Sequence, residues 1–185
     1  MNKKIILLTC FCCIIQLINA QQWAVKTNLL YDATSTINLG AETKLSERTT
    51  LDLPLNFNPW SFSADKKFKH ILVQPELRWW TCEPFTGHFF GIHAHYGVFN
   101  VAGVTPFKVL QDYRHQGWLI GGGISYGYNW FLGKKWSLEF TVGAGYAYID
   151  TDRYNCGPCA NKLRSDKFHY FGPTKAGLNL VFMIK

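Results

Sequence analysis

Two stretches of this chain alternate between apolar and small or polar residues for longer than a strand of a water-soluble protein usually runs. In the first, Trp136, Leu138, Phe140, Val142, Ala144, Tyr146 and Tyr148 share one face, against Ser137, Glu139, Thr141, Gly143, Gly145 and Ala147 on the other. In the second, Trp118, Ile120, Gly122, Ile124, Tyr126, Tyr128 and Trp130 oppose Leu119, Gly121, Gly123, Ser125, Gly127 and Asn129. A period of two sends successive side chains to opposite sides of an extended backbone, so Trp136 to Ile149 and Trp118 to Trp130 are predicted strands. The remaining candidates are Trp23 to Tyr31, Thr36 to Leu45, Thr49 to Phe57, Ile71 to Trp80, Phe89 to Asn100 and Lys175 to Ile184, which makes eight. Composition agrees: 16% aromatic residues and 16 Gly with only 17% charged residues argue against disorder and against a helical bundle.

The first 20 residues, Met1 to Ala20, have a cationic start at Lys3 and Lys4, an apolar run from Ile5 to Ile18 and a small terminal residue, the pattern of a secretory signal peptide. The run is shorter than the ~20 residues a helix needs to span a bilayer. Thr9 before Cys10 is a poor fit to a lipid-attachment box. Beyond Ala20 no stretch of 18 apolar residues occurs, so any membrane residence has to come from strands. Residues 21–185 are of single-domain size. The net charge of +7 is dispersed, with no basic block longer than Lys66-Lys67 or Lys134-Lys135, which argues against a nucleic-acid partner.

The predicted strands are joined by tight links at Ser46 to Arg48, Thr81 to His88 and Phe131 to Lys135. Between these come longer connections, Asn58 to His70, Val101 to Gly117 and Asp150 to Thr174, with Asp32 to Ser35 short. From an N-terminus in the periplasm, the three tight links fall at the periplasmic end and the long ones outside. That is the connectivity of an eight-stranded antiparallel up-and-down transmembrane β-barrel of the bacterial outer membrane.

Residue type says which face meets lipid. The non-apolar face repeatedly uses Gly121, Gly123, Gly127, Gly143, Gly145 and Gly177, which suit the crowded interior of a small barrel better than a watered surface. The apolar face carries aromatic residues towards its ends, as with Trp23 and Tyr31, Trp118 and Trp130, or Trp136 and Tyr148, where interfacial girdles belong. Opposite the apolar face lie Lys26, Glu42, Lys44, Asp52, Glu76, Arg78, Glu139 and Lys175, four cations and four anions. Buried charges are tolerated when paired, so these eight residues are expected to form an ionic network in the barrel interior. A filled interior leaves no continuous water channel, which disfavours porin activity.

The stretch from Trp23 to Asp32 (WAVKTNLLYD) and that from Tyr170 to Val181 (YFGPTKAGLNLV) resemble domain of unknown function 3575, a family of outer-membrane proteins found mainly in Bacteroides-like bacteria. The resemblance extends over nearly all of the chain after the leader, including the aromatic-rich middle and a cysteine pair before the last strand. It implies an outer-membrane barrel, sometimes encoded near surface-fimbria components, and brings no established activity, cofactor or catalytic residue. One departure is the end of the chain, Phe182-Met183-Ile184-Lys185, where many such barrels finish on an aromatic residue.

Cys156-Gly157-Pro158-Cys159 has thioredoxin-like spacing, but it lies in the longest predicted loop without a βαβ unit around it, so a local disulfide between Cys156 and Cys159 is expected in an exported chain. A zinc site would need two further ligands, and only His169 is near. Cys82, on a periplasmic turn, is expected to remain unpaired. His93 and His95 share a strand face, a spacing open to metal chelation or to interior hydrogen bonds with Glu or Tyr; the second is favoured. Ser125 is the only mid-strand serine on a strongly patterned segment, and nothing places a histidine beside it. The outer connections collect Lys66, Lys67, Lys69, Lys108, Arg114, Arg153, Lys162, Arg164 and Lys167, for which lipopolysaccharide phosphates are candidate counter-ions, and Trp60, Phe62, Phe68 and Phe107 offer a protein-binding surface.

The expected function is a non-enzymatic integral outer-membrane barrel, structural or docking a surface or fimbrial protein, with outer-membrane lipid and lipopolysaccharide as surroundings and no cofactor or metal. The alternatives are a lipid-modifying outer-membrane enzyme and a soluble secreted barrel holding an apolar ligand.

Overall fold

The computed structural model describes residues 22–61, 66–103, 113–155 and 161–184. The expected leader, Met1 to Ala20, lies outside them, as do Phe62, Phe107, Lys108 and the pair Cys156 and Cys159. Along the chain run β1 (Trp23–Asn28), one helical turn α1 (Leu29–Ala33), β2 (Ile37–Lys44), β3 (Thr49–Asn58), β4 (Lys67–Val73), β5 (Glu76–Trp80), β6 (Gly87–Ala102), β7 (Tyr113–Phe131), β8 (Trp136–Asn155) and β9 (Lys162–Met183). Every pairing is antiparallel, and β9 returns to β1, so the sheet closes on itself as a barrel-like ring. Among the described residues no helix is long and apolar enough to cross a membrane.

Nine strands make eight walls, because β4 and β5 both pair with β3 on one side and β6 on the other. The expected single strand Ile71 to Trp80 is interrupted at Gln74 and Pro75. Proline has no amide to give a ladder, yet the register passes the break unshifted, since Pro75 still accepts from the Ala94 amide and the Gln74 amide donates to Pro54.

Two expected boundaries are corrected. The first strand stops at Asn28, not Tyr31, because the Asn28 side chain accepts the Leu30 amide at 3.1 Å and starts a helical turn. Tyr31 therefore belongs to α1 and forms no strand-borne girdle pair with Trp23. The second correction is larger. The expected loop from Asp150 to Thr174 is mostly a continuation of β8 and β9, paired from Asp150 opposite Lys167 to Tyr154 opposite Lys162. Both faces of that extension carry polar and charged side chains, so its sequence has no apolar alternation to reveal it. The segments of Val101 to Gly117 that are described likewise extend β6 and β7.

The two surfaces of the ring are opposite in character. Outward positions such as Leu39, Trp79, Phe90, Ile92, Ile124 and Phe140 are exposed, while Glu42, Asp52, Glu76, Arg78 and Glu139 are buried inside. The buried apolar cluster is small: Ala24, Trp80, Phe85, Phe89 and Val181 close the ring at the end carrying the short links. Phe89 fits because Gly127 faces it across the wall; a Cβ on Gly127 would overlap the phenyl ring.

Candidate functional site

The inward residues of neighbouring strands are stacked by register. Glu42 opposes Asp52, Asp52 opposes Glu76, and Glu76 opposes His93. Thr50 and Gly91 flank Arg78, Ser125 follows Gly91, and Gly143 opposes Lys175. One rung carries Glu42, Asp52 and Glu76 and the next carries Arg78 and Lys175, while Lys26, opposite Gly40, and Glu139, opposite Asn179, reach the same place from other rungs, so seven of the eight charged positions meet in one cluster. Arg78 is its centre and is fully buried: Nε lies 2.6 Å from Glu76, Nη1 3.0 Å from Glu42 and 2.8 Å from Glu139, and Nη2 2.7 Å from Asp52. Its guanidinium also sits 4.5 Å above the Phe89 ring centre, which stacks it on the apolar end cluster. Lys26 pairs with Glu42 and, at 2.8 Å, with Glu139. Lys175 reaches Glu76 at 2.7 Å.

Three cations face four carboxylates here, and neutral donors hold further oxygens of the three glutamates, while Asp52 Oδ1 has only Lys26 Nζ, at 3.8 Å. Thr50 donates to Glu42, Ser125 to Glu76, and Asn179 and Thr141 to Glu139. A desolvated ion cluster is tolerable only when its lone pairs are taken up in this way. Lys44 stands apart. It is half-buried near Glu47, Arg48 and Cys82 at the end with the short links, and it has no ion pair among the described residues. The strand ends there, one inward step beyond Glu42, so the ammonium keeps access to water.

Ser125 has a carboxylate partner and no histidine hydrogen bond, an arrangement that satisfies a buried hydroxyl without activating it. His93 and His95 face the interior with ring centres 5.8 Å apart. His93 Nε2 bonds Thr174 at 2.9 Å, so the expected Glu or Tyr partner is replaced by a threonine. The reason is a register shift beside Gly143 that leaves Thr174 as an extra residue, turned inward with Lys175. Among the described residues no group of three metal-ligating side chains occurs. Cys82 is free and exposed.

Of the outer cations, Lys67 and Lys69 lie on β4, Arg114 on β7, Arg153 on β8, and Lys162, Arg164 and Lys167 on β9, so most stand on paired strands instead of loops. Lys66 precedes β4. Arg114 and Arg153 stack on Tyr154 and Tyr113, and Lys162, Arg164 and Lys167 approach Asp152, Asp166 and Asp150. Phe68 is on β4, and Trp60 is held by a bond from its indole to the Ser35 carbonyl, 2.6 Å.

Period-two reasoning missed the polar residues around α1. Asn28 accepts the Leu30 and Leu178 amides and donates to the Ala176 carbonyl; Asn38 binds the Asn28 backbone and Asp32; Thr27 donates to Asp32. The signal available was Asn28 itself, a helix-capping residue directly before Leu29-Leu30.

These features define a class: a closed antiparallel ring with an ionic interior, an aromatic end cluster and an apolar outer wall. The chain belongs to the family described as protein of unknown function (DUF3575), which it matches over residues 6–184. No curated protein and no solved structure matches it.

Proposed function

We propose that this chain is a non-enzymatic integral β-barrel of the bacterial outer membrane, serving an envelope-structural role and docking a surface protein through its protruding strands. The observation that carries the reading is the inverted distribution of polarity: an apolar band on the outside, ions inside. Exposed apolar area on that scale costs too much in water. The band also has a bilayer's height. Trp136 and Tyr148 on β8, like Trp118 and Trp130 on β7, are 12 residues apart. At about 3.4 Å per residue and a tilt of about 40°, the two aromatic levels are about 31 Å apart, enough to flank an apolar band of about 25 Å.

A soluble carrier of an apolar ligand is opposed by the charged interior, and a lipid-modifying enzyme by the absence of a histidine hydrogen bond to Ser125. The aromatic cluster and ion network fill the ring and oppose a porin role. Above the outer aromatic level, β6 to β9 continue as a wall bearing Arg114, Arg153, Lys162 and Arg164, suited to lipopolysaccharide phosphates and to an acidic protein surface. The test is migration of the chain from a purified outer-membrane fraction. Recovery there, with an unheated band that runs faster than the boiled one, is the expected result; release from washed cells into aqueous buffer sinks the proposal.

A further inference from the structure

The ring is not closed to the same height all round. β1 pairs with β9 only from Ala24 opposite Met183 to Asn28 opposite Asn179, whereas β9 continues upward through Ala176 and Pro173 to Lys162. Ala176 opposes Val142 and Pro173 opposes Ala144, so the break begins inside the apolar band. Free amides and carbonyls at that depth are costly, and here side chains take them. Asn28 accepts the Leu178 amide at 3.3 Å and donates to the Ala176 carbonyl at 3.2 Å. Gln74 donates to the Thr174 carbonyl at 3.1 Å and Tyr170 to that of Pro173 at 3.2 Å, and Pro173 has no amide to satisfy. A missing stretch of ladder whose polar groups are already occupied is a stable gap.

A cavity of about 390 Å³ lies at this gap. Its lining joins outward residues of β9, Pro173 and Ala176, to the inward residues Phe68 and His70 of β4, with Leu30 and Tyr31 of α1 as the other lip. The volume is within the ~300–1,000 Å³ of small-molecule sites. Mostly apolar, it is bounded by Pro173 and Ala176 at the level of the outward apolar band, opposite Ala144 and Val142, and Thr36, Thr174 and Lys175 add polar groups to its lining.

We propose that the α1–β9 break is a lateral portal through which one acyl chain of an outer-leaflet lipid enters the mouth of the ring. The occupant follows from position: an opening at that depth faces hydrocarbon, and a single chain is what an apolar cleft bounded by one helical turn and one strand accepts. This rests on the membrane reading above.

The test uses the full chain refolded into phosphatidylcholine bilayers containing a small fraction of phosphatidylglycerol with a diazirine on one acyl chain. After illumination, labelled residues are mapped by mass spectrometry. Label on Phe68 and His70, which a lipid coating only the wall cannot reach, is the expected result, together with label on outward residues such as Leu39 and Phe140. Label confined to outward residues overturns the portal and leaves the membrane reading standing; absence of label on outward residues overturns that reading itself. Ala176→Trp, filling one lip, is expected to cut Phe68 and His70 labelling at least tenfold without changing outward labelling. Leu30→Trp on the opposite lip serves if that variant loses heat-modifiable migration. Unchanged interior labelling in a folded variant overturns the route.

Discussion

Arg78 and Arg164 are both paired with carboxylates, and they sit at opposite ends of the molecule's range of environments. Arg78 is wholly buried among Glu42, Asp52, Glu76 and Glu139, whereas Arg164 is 74% exposed and touches Asp166 at 2.5 Å. A short distance therefore says little about energy by itself. An exposed pair is screened by water and costs side-chain entropy, so it contributes about 0–1 kcal/mol. A buried pair contributes little relative to an apolar substitute of the same shape, yet removing one partner strands a charge and costs about 3–5 kcal/mol. The lower interior is thus intolerant of single changes, while single changes in the exposed pairs of the protruding strands cost little.

The largest expected effect follows directly. Arg78→Met removes the cation shared by four carboxylates and is expected to lower unfolding free energy in bilayers by about 3–5 kcal/mol, measured by urea titration. Combining it with Glu42→Gln and Glu139→Gln is expected to recover a substantial part of that loss. If Arg78→Met alone unfolds at the wild-type midpoint, the interior is hydrated and the contrast with Arg164 disappears. Next in size is Phe89→Ala, which opens a hole in the aromatic end cluster beside Trp80 and removes the ring under Arg78. Its cost is expected to be about 3–4 kcal/mol, and small-solute permeation through reconstituted vesicles is expected to rise because the cluster closes the ring.

How much of this contrast was legible in the sequence depends on which physical signal each residue obeys. Arg78, Glu139 and Lys26 could be placed because a strand with one apolar face reports the other face through parity alone. The same parity put Lys44 inside, but parity carries no information about where along the ring's axis a strand runs out into water. Trp80 and Phe89 share the parity of Arg78, so their inward position was implicit; Phe85 was not, since it lies in a turn with a φ of 65° where no periodicity applies. The extension of β8 and β9 was invisible for a related reason. Tyr154, Lys162 and Arg164 stand in a stretch where polar and charged side chains occupy both faces, and a strand without an apolar face has no pattern. The pairing of Thr174 with His93 depends on a one-residue register shift, which only the partner strand's geometry reveals.

Asn28 tests the boundary between the two regions. Its side chain joins α1 to β9 through the Leu30 and Leu178 amides and the Ala176 carbonyl. Asn28→Ala is expected to cost about 1–2 kcal/mol and to raise amide exchange at Leu178 and Leu30 while leaving Ser125 and Gly127 protected. A uniform rise across β7 contradicts a locally held gap and makes the upper wall part of the same cooperative unit as the lower interior.

The smallest effect belongs to Asp152, on the protruding part of β8. Lys162 Nζ lies 2.7 Å from its carboxylate and Ser165 Oγ 2.8 Å, and the hydrogen bond from Lys162, then that from Ser165, holds the acid below its ordinary range. A carboxyl depressed on folding contributes stability above its unfolded value and loses it as the pH falls through the folded one, so any contribution is complete at neutral pH. Water surrounds the group, so Asp152→Asn is expected to leave the urea midpoint at pH 7 unchanged. Carbon-detected NMR of the carboxyl is the sharper measurement: Lys162→Ala is expected to move the Asp152 titration upward. A midpoint shift for Asp152→Asn as large as that of Asn28→Ala means that the protruding strands are braced by their ion pairs, and Arg164 and Arg78 then differ in degree only.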